Sequence, residues 1–295
     1  MQTFGGKRIP ARQAMEPARN GHQETQGRPK VHLVGIHSFR GGAGKTTLAA
    51  NLAFLAARGG AKVALLDADL QAPSLHTALG VGTKRILHSV SEFVREQCEL
   101  REVPIDLSLE LGLDGTEGPQ GKGSLHFLPS STDLQTATSI LFEGYDVGRL
   151  NEHLLALAKD MDLDYLFLDT HLGINRETLL SLAISDTVLV LLRPDGQDHV
   201  GAGVLVRIAQ KVGVPQCLLV PNMVGAKVDQ DAMSEEFEKD LGAPVAGILP
   251  WCSELSELGC KGLFAVKFED HPLTAQLDQI VQRLTPARAT PGGGS

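Results

Sequence analysis

The stretch HSFRGGAGKTT, residues 37–47, holds glycines, a lysine and threonines in an arrangement that suits phosphate binding. Its glycines are Gly41, Gly42 and Gly44. Glycine lets backbone N–H groups turn inward around an anion without a clash from Cβ. Lys45 would bridge the β- and γ-phosphates of a nucleotide, and the Thr46 hydroxyl would ligate Mg²⁺.

The same stretch departs from the usual pattern G-x-x-x-x-G-K-[ST] at one position. The pattern requires glycine at position 39, where this chain has Phe39, and Arg40 follows it. One interpretation is a glycine turn with an incidental lysine. The other is a phosphate loop of a different kind. The flanking runs VHLVGIHS and KTTLAANLAFLAARG favour the second, because strand, loop and helix then follow in the required order.

Acidic residues follow or end two other apolar runs. Asp67 and Asp69 come after AKVALL, and Asp169 ends DYLFLD. The ends of parallel strands next to the first strand face the same crevice, so these carboxylates are expected to face the phosphate site. The alternative is that they serve as turn residues or helix caps.

The elements that must position these residues are apolar runs that alternate with helical patterns. The runs are VHLVGIH, AKVALLD, LHFLPS, DYLFLD, DTVLVLL, QCLLVP and PVAGILP. The helical patterns are KTTLAANLAFLAARG, LNEHLLALAKDM, RETLLSLAIS, HVGAGVLVRIAQKVG, SEEFEKDLG and LTAQLDQIVQRL. Alternation of this kind predicts an α/β fold with a mostly parallel β-sheet and helices on both faces. The stretch 80–123 is the least regular, and we expect a short helix near SVSEFVREQC.

Length and composition indicate one domain with polar ends. The chain has 295 residues, 42% of them hydrophobic, which is enough to bury one large core. We predict a disordered basic arm at residues 1–29, a single domain at 30–285 and a flexible tail at 286–295.

The net charge of −8 is distributed unevenly. Residues 1–30 hold six Lys or Arg and two Glu, which leaves 21 basic and 33 acidic residues in the rest of the chain. An acidic body is a poor surface for nucleic acid or anionic lipid. We therefore expect no nucleic-acid binding except through the basic arm.

Cysteine usage and hydropathy indicate a cytoplasmic protein. The four cysteines, at positions 98, 217, 252 and 260, lack C-x-x-C spacing, which favours free thiols in a reducing compartment. A metal or redox pair at Cys252 and Cys260 is the alternative. No run approaches the roughly 18 apolar residues of a membrane span, and the N-terminus lacks an apolar signal core.

The loop FRGGAGKTT resembles the deviant Walker A loop, x-K-G-G-x-G-K-[ST], of the MinD/ParA family of P-loop ATPases. In that family the position of Phe39 need not be glycine. The position of Arg40 carries a signature lysine, which reaches across an ATP-sandwich dimer to the partner's nucleotide. Arginine keeps the charge and offers more donors; the alternative is a solvated loop cation. The resemblance covers about residues 31–285 and implies a single-domain P-loop NTPase.

The resemblance also implies a role for each matching residue. The segment DADLQ, residues 67–71, resembles the D-x-D-x-Q switch I, in which Asp69 positions the attacking water and Asp67 supports the Mg²⁺ shell. Asp169 matches the Walker B acid, and residues 170–173 match switch II. The catalytic residues so implied are Lys45, Asp69 and Arg40, and the metal-binding residues are Thr46, Asp67 and Asp169. The nucleotide-binding residues so implied are Gly41, Gly42, Ala43, Gly44, Lys45, Thr46, Thr47, Gly173, Asn222 and Pro250.

Five of the later positions carry more specific expectations. Gly173 would offer its N–H to the γ-phosphate. Asn222 would read the adenine edge and Pro250 would line the base from the other side, unless both are ordinary turn residues. Trp251 is expected to line the base pocket or pack under it. His171 stands where the family usually has proline, and it either senses the γ-phosphate or packs against the loop.

The implied function is that of a Mg²⁺-dependent ATPase whose ATP-bound homodimer positions or loads a protein partner or cargo. The alternative is a nucleotide-dependent scaffold that hydrolyses ATP negligibly. Intact Lys45, Asp69 and Asp169 favour the ATPase. The final pattern LTAQLDQIVQRL lacks a lysine-rich polar face, so we predict a helix docked on the sheet rather than a membrane-targeting helix.

Overall fold

The computed structural model describes residues 31–113, 117–118 and 121–284. The arm predicted for residues 1–29 and the tail predicted for residues 286–295 lie outside these residues. None of the helices in the described part of the chain is long and apolar enough to cross a membrane.

The centre of the molecule is a twisted sheet that is parallel except at one edge. Its strands in chain order are β1 (His32–Ser38), β2 (Lys62–Asp67), β3 (Ile105–Asp106), β6 (Ser124–Leu128), β7 (Tyr165–Asp169), β8 (Thr187–Leu192) and β9 (Gln216–Pro221). They lie side by side in the order β3-β6-β2-β7-β1-β8-β9, and the short β3 pairs antiparallel with β6. A separate hairpin joins β4 (Glu117–Gly118) and β5 (Gly121–Lys122). The predicted mostly parallel sheet is confirmed.

Helices cover both faces of this sheet. They are α1 (Lys45–Arg58), α2 (Leu75–Ala78), α3 (Val90–Val94), α4 (Leu134–Glu143), α5 (Val147–Asp160), α6 (Arg176–Ile184), α7 (Gly196–Val212), α8 (Gln230–Leu241), α9 (Ser253–Leu258), α10 (Phe264–Lys267) and α11 (Pro272–Leu284). Short 3₁₀ turns span Thr83–Arg85 and Leu100–Glu102. One face packs α1 and α11 against the sheet; the other packs α5 against β2 and β7, and α7 and α8 against β8 and β9.

Helix α1 is the most deeply embedded helix that bears on the site. All residues from Leu48 to Ala57 are buried, because the helix lies between the sheet and α11. The side chain of Asn51 stabilises this position by donating to Thr47 O at 2.7 Å and accepting from the N–H of Ala265 at 2.8 Å. The loop that precedes α1 is therefore mounted on a rigid support.

The last helix confirms the prediction for LTAQLDQIVQRL. In α11 the side chains of Leu273, Leu277, Ile280 and Leu284 are buried against the core. Its apolar face is already occupied by the domain, which supports docking rather than exposure to a membrane. The short helix expected near SVSEFVREQC is present as α3.

The prediction of a regular strand at PVAGILP is wrong. This segment lies beside β9, but it makes only isolated bridges, from Val245 to Leu219 and from Pro250 to Val224. Proline has no N–H, so Pro244 and Pro250 cannot donate to a ladder. The sequence pattern in the irregular stretch 80–123 also did not predict strand β3. Helix α4 was not predicted either.

Candidate functional site

The loop between β1 and α1 turns sharply at two glycines. Gly42 has φ of 77° and Gly44 has φ of 96°, a region that residues with a Cβ rarely adopt. A Cβ on Gly44 would also lie 2.6 Å from Nδ2 of Asn222. Leu48 N–H donates to Gly44 O at 2.9 Å, so helix α1 starts directly from the loop and directs its free N–H groups at the crevice.

Phe39 has a structural role at the position where the usual pattern has glycine. A Cβ added to Gly201 of α7 would lie 2.2 Å from Cγ of Phe39, so the ring rests directly on the backbone of that helix. The Ser38 hydroxyl donates to Arg40 O at 2.8 Å and fixes the turn that follows. Phe39 therefore contacts helix α7 at the position where the usual pattern has glycine.

Two buried carboxylates lie next to the loop at the ends of adjacent strands. Asp67 and Asp169 are direct partners in the β2–β7 register, and their residues are 1% and 2% exposed. The Asp67 carboxylate accepts from the N–H of Leu75 at 3.0 Å and of Asp69 at 3.3 Å. Burial, with Asp169 adding to it, raises the pKa of Asp67 well above its usual value.

Asp169 has the features of a cation ligand. Burial raises the pKa of Asp169 to about 6, although a hydrogen bond from the Thr46 hydroxyl and the charge of Lys45 act to lower it. Its Oδ1 atom is buried without a hydrogen-bond partner among the described residues. A buried carboxylate oxygen of this kind fits an oxygen-seeking divalent cation such as Mg²⁺. Thr46, Asp67 and Asp169 therefore form a donor set that fits the predicted metal.

The carboxylate of Asp69 is held by a histidine. Nδ1 of His171 lies 2.9 Å from Oδ1 of Asp69, and their side chains are 22% and 19% exposed. Burial raises the pKa of Asp69, but His171 and the N–H of Ala72 outweigh it, so the net shift of the Asp69 pKa is downward. The Asp69 hydrogen bond in turn raises the pKa of His171. His171 thus contacts Asp69 of switch I in addition to its own loop, and a role in sensing the γ-phosphate stays a prediction.

Switch II is attached to the phosphate loop by backbone contacts. Gly173, with φ of 78°, donates its N–H to Ser38 O at 3.1 Å. The Thr170 hydroxyl donates to Ile36 O at 2.7 Å and lies 2.9 Å from Nδ1 of His37. In this conformation the Gly173 N–H points to the loop carbonyl, so a contact with a γ-phosphate requires that hydrogen bond to change.

His37 and Asp198 are buried polar residues at the site that sequence reasoning missed. Burial, with the charge of Lys45 adding to it, lowers the pKa of His37 to about 3, so the ring is neutral. Asp198 of α7 is 2% exposed and accepts from Arg193 Nε at 3.1 Å. For His37, the only available signal was a histidine inside an otherwise apolar strand.

Arg40 is positioned by an acidic pair at the start of α7. Its Nη1 lies 3.8 Å from Oδ1 of Asp195 and 3.8 Å from Oδ1 of Asp198, and its side chain is 41% exposed. Arg193 contacts the same two acids at 3.5 and 3.1 Å. The contacts of Arg40 are the longer ones, so the acids keep a counter-charge if Arg40 moves.

An apolar cavity of about 200 Å³ opens beside the first turn of α1. Gly44 and Thr47 line it on the loop side, and Asn222, Pro250 and Trp251 line it on the other. The side chain of Trp251 is well exposed, at 60%. Its position next to the phosphate loop and its apolar walls suit a nucleotide base.

Asn222 lies in this cavity but is also bonded to the loop. Its Nδ2 donates to Ala43 O at 2.8 Å, and its Oδ1 accepts from the N–H of Met223 at 2.9 Å. One amide hydrogen and one lone pair remain for a ligand. The amide therefore connects the base side of the cavity to the phosphate side.

Cys252 and Cys260 line the same cavity as free thiols. Cys252 Sγ donates to Glu254 at 3.4 Å, and Cys260 Sγ lies 3.6 Å from Oγ1 of Thr47. The alternative of a bonded redox pair is not what the structure shows.

The structure brings most of the predicted site residues to one edge of the sheet. The phosphate loop, Asp67, Asp69, Asp169 and Gly173 all lie at the carboxyl ends of β1, β2 and β7 or in the loops that follow them. Asn222 and Pro250 lie at the adjoining cavity, and Arg40 lies at the rim. This is the crevice where parallel α/β sheets bind ligands.

Comparisons with known proteins agree with this geometry. The profile of the CobQ/CobB/MinD/ParA nucleotide binding domain matches residues 34–266. An uncharacterized ATP-binding protein of Methanocaldococcus jannaschii is 24% identical over 256 residues, which are 86% of this chain and 88% of that one. An iron-sulfur cluster carrier protein of Clostridium perfringens is 30% identical over 241 residues, 77% and 78% of the two chains.

A solved structure shares the fold. The septum site-determining protein MinD of Pyrococcus horikoshii, complexed with Mg-ADP, superposes with a TM-score of 0.70 over 86% of this chain and 96% of that one, at 18% identity. At this identity the likeness concerns the fold alone.

Proposed function

Because the chain belongs to the CobQ/CobB/MinD/ParA nucleotide-binding family, with a MinD/ParA-type fold, we propose that it is a Mg²⁺-dependent ATPase that dimerises when it binds ATP. The observation that carries the proposal is the set of acids around the loop. Asp67 and Asp169 are paired in register beside Lys45 and Thr46, and Asp69 is next to them. A loop that only bound phosphate would not need three carboxylates in the same crevice.

The proposed reaction is hydrolysis of the β–γ phosphoanhydride bond. The oxygen of a water forms a bond to the γ-phosphorus, and the bond to the β–γ bridging oxygen breaks, leaving its electron pair on ADP. One proton of the water stays on the attacking oxygen, and the other is transferred to another oxygen of the inorganic phosphate. Lys45 neutralises charge on the β- and γ-phosphates, and Asp69 orients the water by accepting its hydrogen bond.

Thr46, Asp67 and Asp169 would hold Mg²⁺ in this scheme. When bound, the ion supplies charge neutralisation at the β- and γ-phosphate oxygens. The chain's own contribution is to keep the Asp169 carboxylate buried and partly unsatisfied beside the loop. The base would occupy the apolar cavity, with the remaining amide groups of Asn222 and the Pro250–Trp251 segment around it.

In the proposed dimer, Arg40 exchanges its contacts with two aspartates for contacts with phosphates. On ATP binding, Arg40 of each subunit would leave Asp195 and Asp198 and contact the phosphates bound to the other subunit. Arg193, at 3.1 Å, keeps Asp198 paired after that move. The exchange replaces two contacts of 3.8 Å with charge-assisted bonds to phosphate, which are stronger.

The dimer would position or load a protein partner in the cytoplasm. Proteins similar to this chain carry names that refer to septum-site determination and to carrying an iron-sulfur cluster. The residues of this chain specify the nucleotide site more closely than they specify the cargo. The second candidate, a nucleotide-dependent scaffold, differs only in hydrolysis rate. The three carboxylates favour turnover.

Phosphate release and sedimentation test this proposal together. Wild type should release phosphate from Mg²⁺-ATP and sediment as a dimer with ATP. Asp69→Ala should bind ATP, lose turnover and accumulate the dimer. Arg40→Ala should bind ATP as a monomer, and Arg40→Lys should restore the dimer. A stable ATP dimer in Arg40→Ala would contradict the role of Arg40, and binding without any turnover would favour the scaffold.

A further inference from the structure

The contact between His171 and Asp69 joins the two acidic loops of the site. Asp69 follows β2 and His171 follows β7, yet Nδ1 of the ring lies 2.9 Å from Oδ1 of the carboxylate. Both side chains are largely buried, at 22% and 19% exposed. At this exposure the pair is partly screened from water, so the close contact between the ring and the carboxylate constrains both side chains.

The same carboxylate oxygen has a second donor. The N–H of Ala72 donates to Oδ1 of Asp69 at 3.0 Å. Together with the His171 contact, this hydrogen bond restricts the rotation of the carboxylate about its last bond. A carboxylate has two oxygens with about four acceptor sites, so Oδ2 keeps capacity to accept from a water. The orientation of that oxygen is set by the contacts on the other.

The histidine ring does not fill all the space around it. A cavity of about 20 Å³ adjoins it, lined in part by Tyr145 and Glu177. That space is about the size of one water. A ring placed only to fill the interior would close such a gap, because protein cores are packed without them.

We propose that His171 is a positioning residue for ATP hydrolysis, because its ring contacts Oδ1 of Asp69 and thereby restricts the orientation of the carboxylate that accepts from the attacking water. The inference rests on the proposed function, in which Asp69 orients that water. His171 acts through Asp69 and does not itself touch the nucleotide. Its loss should therefore slow the chemical step and leave ATP binding nearly unchanged.

Two substitutions separate the polar contact from the volume of the ring. His171→Leu fills a similar space without a donor. His171→Asn places an amide N–H near the position of Nδ1. We expect His171→Leu to lower kcat about tenfold, within the range of a positioning effect, with KM for ATP within about twofold of wild type. His171→Asn should return kcat to within about threefold of wild type.

Two controls complete the experiment. In the Asp69→Ala background, the residual hydrolysis rate measured in single-turnover assays should not fall further with His171→Leu, because its effect passes through Asp69. His126→Leu removes a different histidine beside an aspartate, Asp106 at 3.9 Å on the edge of the sheet, and should leave kcat unchanged. If His171→Leu does not fold, His171→Ala takes its place.

The outcomes distinguish this inference from the proposed function. If wild type turns over ATP and Asp69→Ala does not, but His171→Leu retains full kcat, the positioning role is wrong and the ATPase stands. Equal losses in His171→Leu and His171→Asn, or a further loss in the Asp69→Ala background, would also overturn it. If wild type binds ATP without turnover, both proposals fail together.

Discussion

The two halves of the candidate site differ in the structural elements that form them. The phosphate half consists of strand ends and a glycine loop, with Asp67 and Asp169 almost fully buried and fixed by the register of the sheet. The base half is an irregular segment after β9, with an apolar cavity and a tryptophan that is 60% exposed. The first half can impose geometry on a reacting group, whereas the second can supply affinity through apolar contact but little precision.

The side chain of Asn222 joins the two halves. Asn222 bonds to Ala43 O in the loop and lines the base cavity at the same time. A ligand in one half is therefore sensed by the backbone of the other. The following variants are expected to affect the two halves unequally, with the phosphate half showing the larger effects.

The largest effect is expected from Lys45→Ala. It removes the charge that would contact two phosphates, and charge-assisted hydrogen bonds contribute about 1.5–3 kcal/mol each. The Kd for Mg²⁺-ATP should rise on the order of a hundredfold, as measured by calorimetry. Lys62→Ala, which removes a lysine paired with Asp162 at the other end of β2, is the control and should leave Kd unchanged. Similar Kd values for both variants would place the phosphates elsewhere.

A smaller effect with a distinct pH dependence is expected from Asp169→Asn. Burial raises the pKa of Asp169 to about 6, so the carboxyl is neutral below that pH and charged above it. Only the charged form binds Mg²⁺ well, so the stimulation of ATP binding by Mg²⁺ in wild type should disappear as the pH falls through about 6. The variant should bind Mg²⁺-ATP about tenfold more weakly at pH 8, with no such step. A step that persists in the variant would assign it to another group.

The effect of Trp251→Ala should be smaller again, because the ring is largely exposed and supplies contact area rather than charge. Aromatic contacts of this kind are worth about 0.5–1.5 kcal/mol, which corresponds to a Kd for ATP about five times higher. Binding of tripolyphosphate, which has no base, should not change. If tripolyphosphate binding weakens equally, Trp251 supports the loop and not a base.

The smallest effect is expected from Cys260→Ser. The thiol contacts Oγ1 of Thr47 at 3.6 Å, which is a weak interaction, and the serine hydroxyl can replace it. Calorimetry should give a Kd for Mg²⁺-ATP within about twofold of wild type. A loss above tenfold would show that this side of the base cavity has the precision that we assign to the phosphate half.

The phosphate half could be predicted from the sequence because its geometry is local. A glycine loop between a strand and a helix, and acids that end apolar runs, specify both the residues and the edge of the sheet where they meet. The parallel sheet followed from the same alternation. The direct pairing of Asp67 with Asp169 needs only that their strands be neighbours.

The rest of the site depends on contacts between distant parts of the chain. Three such contacts each join residues about 100 or more positions apart, and no periodicity indicates them. They are the packing of Phe39 against Gly201, the hydrogen bond from Asn222 to Ala43 and the contact of His171 with Asp69. The segment 244–250 was misassigned as a strand because apolar composition outweighed its prolines. Pattern reasoning identifies what a residue can do, whereas these contacts decide its partner.

The fluorescence of Trp251 tests most directly whether the two halves hold one nucleotide. It is the single tryptophan of the chain, so its emission reports on the base half alone. Titration with Mg²⁺-ATP should change this emission saturably, and the change should be absent in Lys45→Ala at the same concentrations. Tripolyphosphate should displace ATP and return the emission to that of the free protein, without a change of its own. If tripolyphosphate alone alters the emission as ATP does, or if ATP binds without altering it, the base does not lie beside Trp251 and the account of a single two-part site is wrong.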